Sequence, residues 1–406
     1  MSCDAGALLS VDDALRALLS GINIRATKEQ LPLLRAQERI LAESAFASSD
    51  VPPADNSAMD GYAVRLADLA GELAAPLPVS QRIPAGVAPT PLLPGTAARI
   101  FTGAELPAGA DCVIMQEQVA QHGDAIVFTS ATANTGDNIR RRGQDMRAGQ
   151  QVVAQGARLH PVALGALAAA GVSRVTVYKP LRVALFSSGD ELRQPGESLA
   201  RGQIHDANRF MLHALVSALG MDVLDLGIIP DQPQRLRQAL QHAQENADVI
   251  LTSAGVSVGE EDHLRALIQS MGALTFWRVN LKPGKPFAAG HIGGTPIFAL
   301  PGNPGSALVT FALLARPCLQ ALQGATLEPP FSVQMPAAFT HTRRQSREEY
   351  VRVTRNADGA LQRLPQQSSG TLFPLLQADG LARIPANTCV ESGEMLEFFP
   401  LRGWLT

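Results

Sequence analysis

The sequence predicts a multidomain protein of α/β plus β class, on three observations. Its 406 residues exceed what one core serves at roughly 150 residues per domain. Between residues 181 and about 325, apolar strand-like runs alternate with helical stretches, the pattern of a parallel α/β sandwich. Before and after that stretch the chain breaks into short apolar runs separated by Gly and Pro, the pattern of small β domains.

In chain order, the N-terminal segment places Val11, Leu15, Leu18 and Leu19 on one helical face behind the capping candidate Ser10. From VPPADNSAMDGYAV to about 150, the runs at Ile83, Ile100 to Phe101, Val113 to Met115 and Ile126 to Phe128 read as strands of an inserted β domain. The return segment carries an Ala-rich helix after Pro161 that should pack on the N-terminal part. In the α/β region, LRVALF, DVLDLG, ADVILT, ALTFWRV and TPIFAL read as strands, and helices are expected near 207–219, 232–246, 261–271 and 305–323. Beyond about 328, EYVRVTR, LARIPA and EMLEFF read as strands with no helix between them. The expected division is therefore 1–50 with 151–178, 51–150, 179–326 and 327–406.

Composition narrows the function. With 46% hydrophobic and 17% charged residues and a net charge of −3, the chain has material for burial and no long-range attraction to nucleic acid or anionic membrane. Cys3, Cys112, Cys318 and Cys389 are scattered without zinc-ligand spacing or a disulfide pattern, so a reducing cytoplasm is expected. The first residues lack a basic n-region, and no uninterrupted apolar run reaches the ~20 residues of a membrane span.

Chemistry is expected where open parallel sheets place it, beyond the carboxyl ends of the strands and at helix N-termini. After LRVALF comes SSGDEL, in which Ser187, Ser188 and Gly189 allow close approach of an anion and Asp190 and Glu191 add charge. After ADVILT comes SAGVSVGEED, with Ser253, Gly255, Ser257 and Gly259 ahead of a helix; after TPIFAL comes PGNPGSA, with Pro301, Asn303 and Pro304. One such loop reads as a helix cap; three on one sheet edge read as a phosphate cradle. Lys282 and Lys285 in LKPGKP can offset oxyanion charge at that edge. Glu191, Asp231 and Asp262 would repel a polyanion unless a hard divalent cation lay between, and Mg²⁺ fits; taken singly, Asp231 and Asp262 also read as helix-start residues. The polar cluster Asp55, Asn56, Ser57 and Asp60 reads on its own as an Asx-rich turn, as do TGAELPAGAD and RRGQDMRAG. A P-loop and a G-x-G-x-x-G fingerprint are both missing, and the eight dispersed His propose no catalytic triad.

DNSAMDGYAV, TGAELPAGADCVIMQE, RRGQDMRAGQ, SSGDEL, IHDAN, TSAGVSVGEED, LKPGKPF and ALPGNPGSA occur in the order seen in molybdopterin molybdenumtransferases, the family of bacterial MoeA and the gephyrin E domain, and the chain resembles that family over nearly its whole length. The resemblance implies a three-layer α/β molybdopterin-binding domain, an inserted β domain, an N-terminal helical segment and a C-terminal β-barrel-like domain. It implies a homodimer in which the inserted domain of one chain faces the α/β domain of the other. The implied reaction converts adenylylated molybdopterin and molybdate to molybdenum cofactor and AMP with Mg²⁺, between an upstream adenylyltransferase and downstream molybdoenzyme factors. By motif position the resemblance assigns Asp60, Thr102, Asp145, Glu191, Asp231, Asp262, Lys282, Lys285, Pro301, Pro304 and Arg347 to the site, with Glu191, Asp231 and Asp262 as metal ligands. The chain departs from the family pattern at Ser188, where Thr is common, at Ala254, in place of a Gly, and at His263, in place of a Tyr. Two other readings compete: a nucleotide pyrophosphohydrolase using a related α/β domain, and a non-catalytic scaffold. The N-terminal motifs oppose the first and the retained acidic residues oppose the second.

Overall fold

Ser10 opens the first helix, α1 (Val11–Ser20), accepting a hydrogen bond from the Asp13 amide at 3.1 Å. That contact belongs to a computed structural model, which describes residues 8–69, 75–129, 133–253 and 263–405. The buried face of α1 is Val11, Ala14 and Leu18. It joins the core of the α/β unit, beside the long helix Pro304–Leu322. The rest of the N-terminal segment forms short strands, a 3-10 turn at Leu33–Arg35 and loops rather than α-helix: Lys28–Pro32 pairs antiparallel with Arg174–Tyr178, and α2 (Pro161–Ala169), N-capped by the His160 ring, covers this small unit.

The inserted unit is a six-stranded sheet ordered Cys112–Met115, Gly61–Val64, Ala97–Ile100, Leu77–Ile83, Ala125–Phe128, Val119–His122. Leu77–Ile83 alternates buried and exposed positions, whereas Gly61–Val64, Ala97–Ile100 and Cys112–Met115 are buried on both faces, Ala63, Ala98 and Val113 joining one core and Val64, Ala97 and Cys112 the other.

The central sheet positions the site. Its strands are β1 (Arg182–Ser188), β2 (Asp222–Ile229), β3 (Val249–Ser253), β4 (Gly272–Trp277), β5 (Ala288–Ile292) and β6 (Thr295–Leu300), in the spatial order β2-β1-β3-β6-β5-β4. The first four in that order run parallel, whereas β5 pairs antiparallel with both β6 and β4 and so alone runs against the rest, which corrects the expectation of an all-parallel sheet. The reason is local. β5 had no clear signal because Gly290 and His291 interrupt its apolar run, and Gly293 and Gly294, with φ of 50° and 91°, form the two-residue turn that sends the chain back into β6. Alternate residues of β1 serve the two faces. Val183 and Leu185 pack with α3 (Asn208–Ala218) and Pro304–Leu322, while Ala184 and Phe186 pack with α4 (Pro233–Asn246) and α5 (His263–Met271). A helix layer on each side leaves only the strand ends open to ligands.

The helix Pro304–Leu322, α6, is long and apolar enough to cross a membrane by length and composition, but 78% of its apolar window is buried in the core. Pro317 has no N–H to offer the carbonyl of Leu313, and the turn before it, Phe311–Ala315, widens to a π-helix. The C-terminal unit is a second sheet, Glu348–Arg355, Gly380–Ile384, Met395–Pro400 and Val333–Pro336, with Leu361–Arg363 beside the first. Two five-residue helices, Phe373–Gln377 and Leu401–Leu405, were not expected, being too short to show a helical period. The two-residue strand Leu281–Lys282 leaves the α/β unit and joins the C-terminal sheet, parallel to Glu348 and Glu349.

Candidate active site

Because β2, β1, β3 and β6 are parallel, their carboxyl ends share one edge, and a cavity of about 1170 Å³ opens there. Ser188, Gly189 and Glu191 line it after β1, Asp231 after β2, Ser253 at the end of β3, and Pro301, Asn303 and Pro304 after β6. Lys282, Lys285 and Arg347 complete the lining from the opposite wall. These expected residues share one space. Gly255, Ser257 and Asp262, together with Ala254, lie outside the described residues.

The loops are cross-tied. Gly189 has φ of 153°, and a Cβ there would sit 2.4 Å from the Glu191 carboxylate, so only glycine lets that side chain fold back over the loop. The Asp231 amide donates to the Asp190 carboxylate at 3.1 Å, joining the loops after β1 and β2. Asn208, at the start of α3, donates to Ser253 Oγ and to the Gly302 carbonyl, each at 2.7 Å, joining the loops after β3 and β6. Its own Oδ1 is buried without a hydrogen-bond partner among the described residues. In the cavity lining, Asp206 is 2% exposed and accepts from Ser187 Oγ at 3.1 Å and from Arg209 Nε at 3.2 Å. A buried charge set this way is compensated by its neighbours rather than free to act on a ligand.

The rest of the opposite wall was not foreseen. The loop Gln367 to Gly370 lines the cavity, and Ser369 accepts from the Gly305 amide at 2.8 Å in the first turn of α6. Arg352, 3% exposed, holds the loop from behind by donating to the carbonyls of Ser368 at 2.9 Å and Thr371 at 3.2 Å. Burial, with Glu348 nearby, pushes the Tyr350 phenol well above its ordinary pKa, so this lining residue stays neutral.

The remaining expected residues gather elsewhere. Asp60 accepts from the Thr102 amide at 2.8 Å and from Thr102 Oγ1 at 2.9 Å. Those bonds, with Arg99 adding its charge, hold the Asp60 carboxyl below its usual pKa. Arg141 pairs with Asp55 at 2.6 Å and Arg142 with Asp50 at 2.5 Å, fixing RRGQDM against DNSAMDGYAV and the residues just before it. The polar cluster is thus an assembled knot of three motifs, not an isolated turn. Asp145 is exposed, and none of Asp60, Thr102 and Asp145 lines the cavity. Among the described residues no group of three His, Cys, Asp or Glu could hold a metal, although two of the three expected ligands, Glu191 and Asp231, face the same space.

Strand-end loops with cations facing carboxylates, closed by a second β unit, define an α/β protein with a two-walled cleft whose lining suits an anion. Comparison with known proteins makes this specific. Residues 9–171 match the MoeA N-terminal region (domain I and II), residues 184–321 the probable molybdopterin binding domain, and residues 334–401 the MoeA C-terminal region (domain IV). A molybdopterin molybdenumtransferase of Haemophilus influenzae is 43% identical over 325 residues, 78% of each chain. One from Nostoc sp. is 36% identical over 392 residues, 93% of this chain and 89% of that one. The crystal structure of the molybdopterin biosynthesis moeA protein from Pyrococcus horikoshii OT3 superposes with a TM-score of 0.83 at 29% identity, over 97% of this chain and 99% of that one. The chain belongs to the molybdopterin molybdenumtransferase family, transferases of molybdenum cofactor biosynthesis.

Proposed function

We propose that the chain inserts molybdate into adenylylated molybdopterin with Mg²⁺-dependent release of AMP. The observation that carries this reading is the cavity in which serine and glycine loops, the cations Lys282, Lys285 and Arg347, and the carboxylates Glu191 and Asp231 meet, with Asp206 and Glu349 also in its lining. The phosphoanhydride of the substrate would lie along Ser188, Gly189 and Ser253, whose backbone and hydroxyls approach an anion without steric hindrance. Lys282 and Lys285 would offset its charge. Molybdate, a small tetrahedral oxyanion, would sit by the turn from Pro301 to Pro304 with Asn303 and Arg347.

Hard oxygen donors suit Mg²⁺, and Glu191 and Asp231, sharing the cavity, fit that requirement; Asp262 is the proposed third ligand. When bound, the ion would neutralise phosphoanhydride charge. Asp60, Thr102 and Asp145, assembled but outside the cavity, fit a role in trans. In a homodimer, the partner subunit's Asp60 would orient the exchanging oxygen. The reading places the reaction in the cytoplasm, after an adenylyltransferase and before molybdoenzyme maturation factors.

The test is direct. Purified protein incubated with adenylylated molybdopterin, molybdate and Mg²⁺ should release AMP in step with cofactor formation, and should leave plain nucleotides intact. Equal release of AMP without molybdate, or hydrolysis of free nucleotides at a similar rate, would point to a hydrolase instead.

A further inference from the structure

Glu349 is a carboxylate for which the proposed mechanism has no use. It lines the cavity yet is 3% exposed, and its Oε1 pairs with Lys282 Nζ at 3.0 Å. His341 Nε2 stands 3.8 Å from Oε2, an atom that is buried without a hydrogen-bond partner among the described residues. The pair is set by backbone register, since Lys282 lies opposite Glu349 where the α/β unit's short strand enters the C-terminal sheet.

A buried negative charge beside a lysine that receives an anion weakens that anion's binding by Coulomb's law. What it offers in return is direction. A lysine head on its four-carbon stem samples many positions, and a charge-assisted hydrogen bond to a rigid strand residue selects one. One of the three ammonium donors is taken, and two remain for a ligand. Lys285 and Arg347 line the same cavity with no carboxylate at ion-pair distance among the described residues, so they supply net positive charge while Lys282 supplies a fixed donor.

We infer that Glu349 is a positioning residue for anion recognition: it holds Lys282 Nζ toward the cavity, with His341 flanking its second oxygen. The inference rests on the reading of Lys282 as an anion ligand. Coulomb repulsion and positioning predict opposite signs for the removal of Glu349, which makes the inference testable by isothermal titration of AMP, and separately of molybdate, into the full-length protein. Lys282→Ala should weaken at least one of these anions about tenfold. Glu349→Gln should weaken the same anion severalfold, and the double variant should bind no more weakly than Lys282→Ala alone. Unchanged or tighter binding by folded Glu349→Gln, or additive losses in the double variant, overturns the inference. Should Glu349→Gln fail a thermal-melt check, Glu349→Asp keeps the charge but withdraws it by one methylene, and affinity equal to the parent protein overturns the inference in that form. If Lys282→Ala binds both anions as the parent does, the anion-ligand reading of Lys282 falls first and this inference with it.

Discussion

The α/β edge and the knot of the inserted domain are built from the same materials, polar motif residues on short loops, and they end differently. At the α/β edge the loops surround a cavity of about 1170 Å³. In the inserted domain Asp60, Thr102 and the RRGQDM loop are tied by short bonds, yet Asp60 and Asp145 face solvent. The difference teaches that hydrogen bonds can assemble a motif completely and still leave it half a site. The α/β loops have a sheet beneath them and a second domain above; the knot has only its own sheet.

Complementation between chains would sharpen this contrast most. Glu191→Gln and Asp60→Asn should each reduce AMP release by about a hundredfold or more, the scale of losing a principal electrostatic group. If the two halves meet across a dimer, subunits of the two variants exchanged and re-mixed should recover about a quarter of parental activity, since half the dimers are mixed and each holds one intact site. Recovery no greater than the sum of the separate variants would place both halves in one chain. Next in size is stability. Leu251, fully buried in β3, should cost about 2–5 kcal/mol when cut to Ala, measured by urea denaturation of the α/β unit, whereas Asp60→Ala should leave the midpoint almost unmoved. The smallest effect concerns acid. Asp60 has a depressed folded pKa, so its contribution to stability is complete above the ordinary aspartate value and disappears only as pH falls through the lower, folded one. Thr102→Val removes one of its two donors and should move the Asp60 titration up toward the ordinary value by NMR, while leaving the α/β melting transition in place.

Much of the architecture was legible from residue pattern. The parallel strands β1, β3 and β6 are buried on both faces, so their apolar runs are nearly continuous, and the strand-end rule then predicted that Glu191, Asp231, Ser253 and Pro301 would converge. The loop that completes the opposite wall was illegible for a physical reason. Gln367 to Gly370 reads as an ordinary polar turn; it becomes a cavity wall only because Arg352, buried on a neighbouring strand, grips its carbonyls. Nor could sequence distance reveal that Lys282 meets Glu349, because that contact depends on register between strands of different units. The same applies to α1, whose helical face was evident while its packing partner, α6, was not.

The strand Leu281–Lys282, threaded into the C-terminal sheet, makes the α/β unit a poor candidate for independent life. Cutting the chain after α6 would strip a backbone ladder from its partner strand, orphan the lysine beside it and remove a wall of the substrate cleft in one stroke. The residues after α6 are thus masonry shared by two rooms, and this enzyme is to be shortened or swapped by whole walls rather than by the borders of its domains.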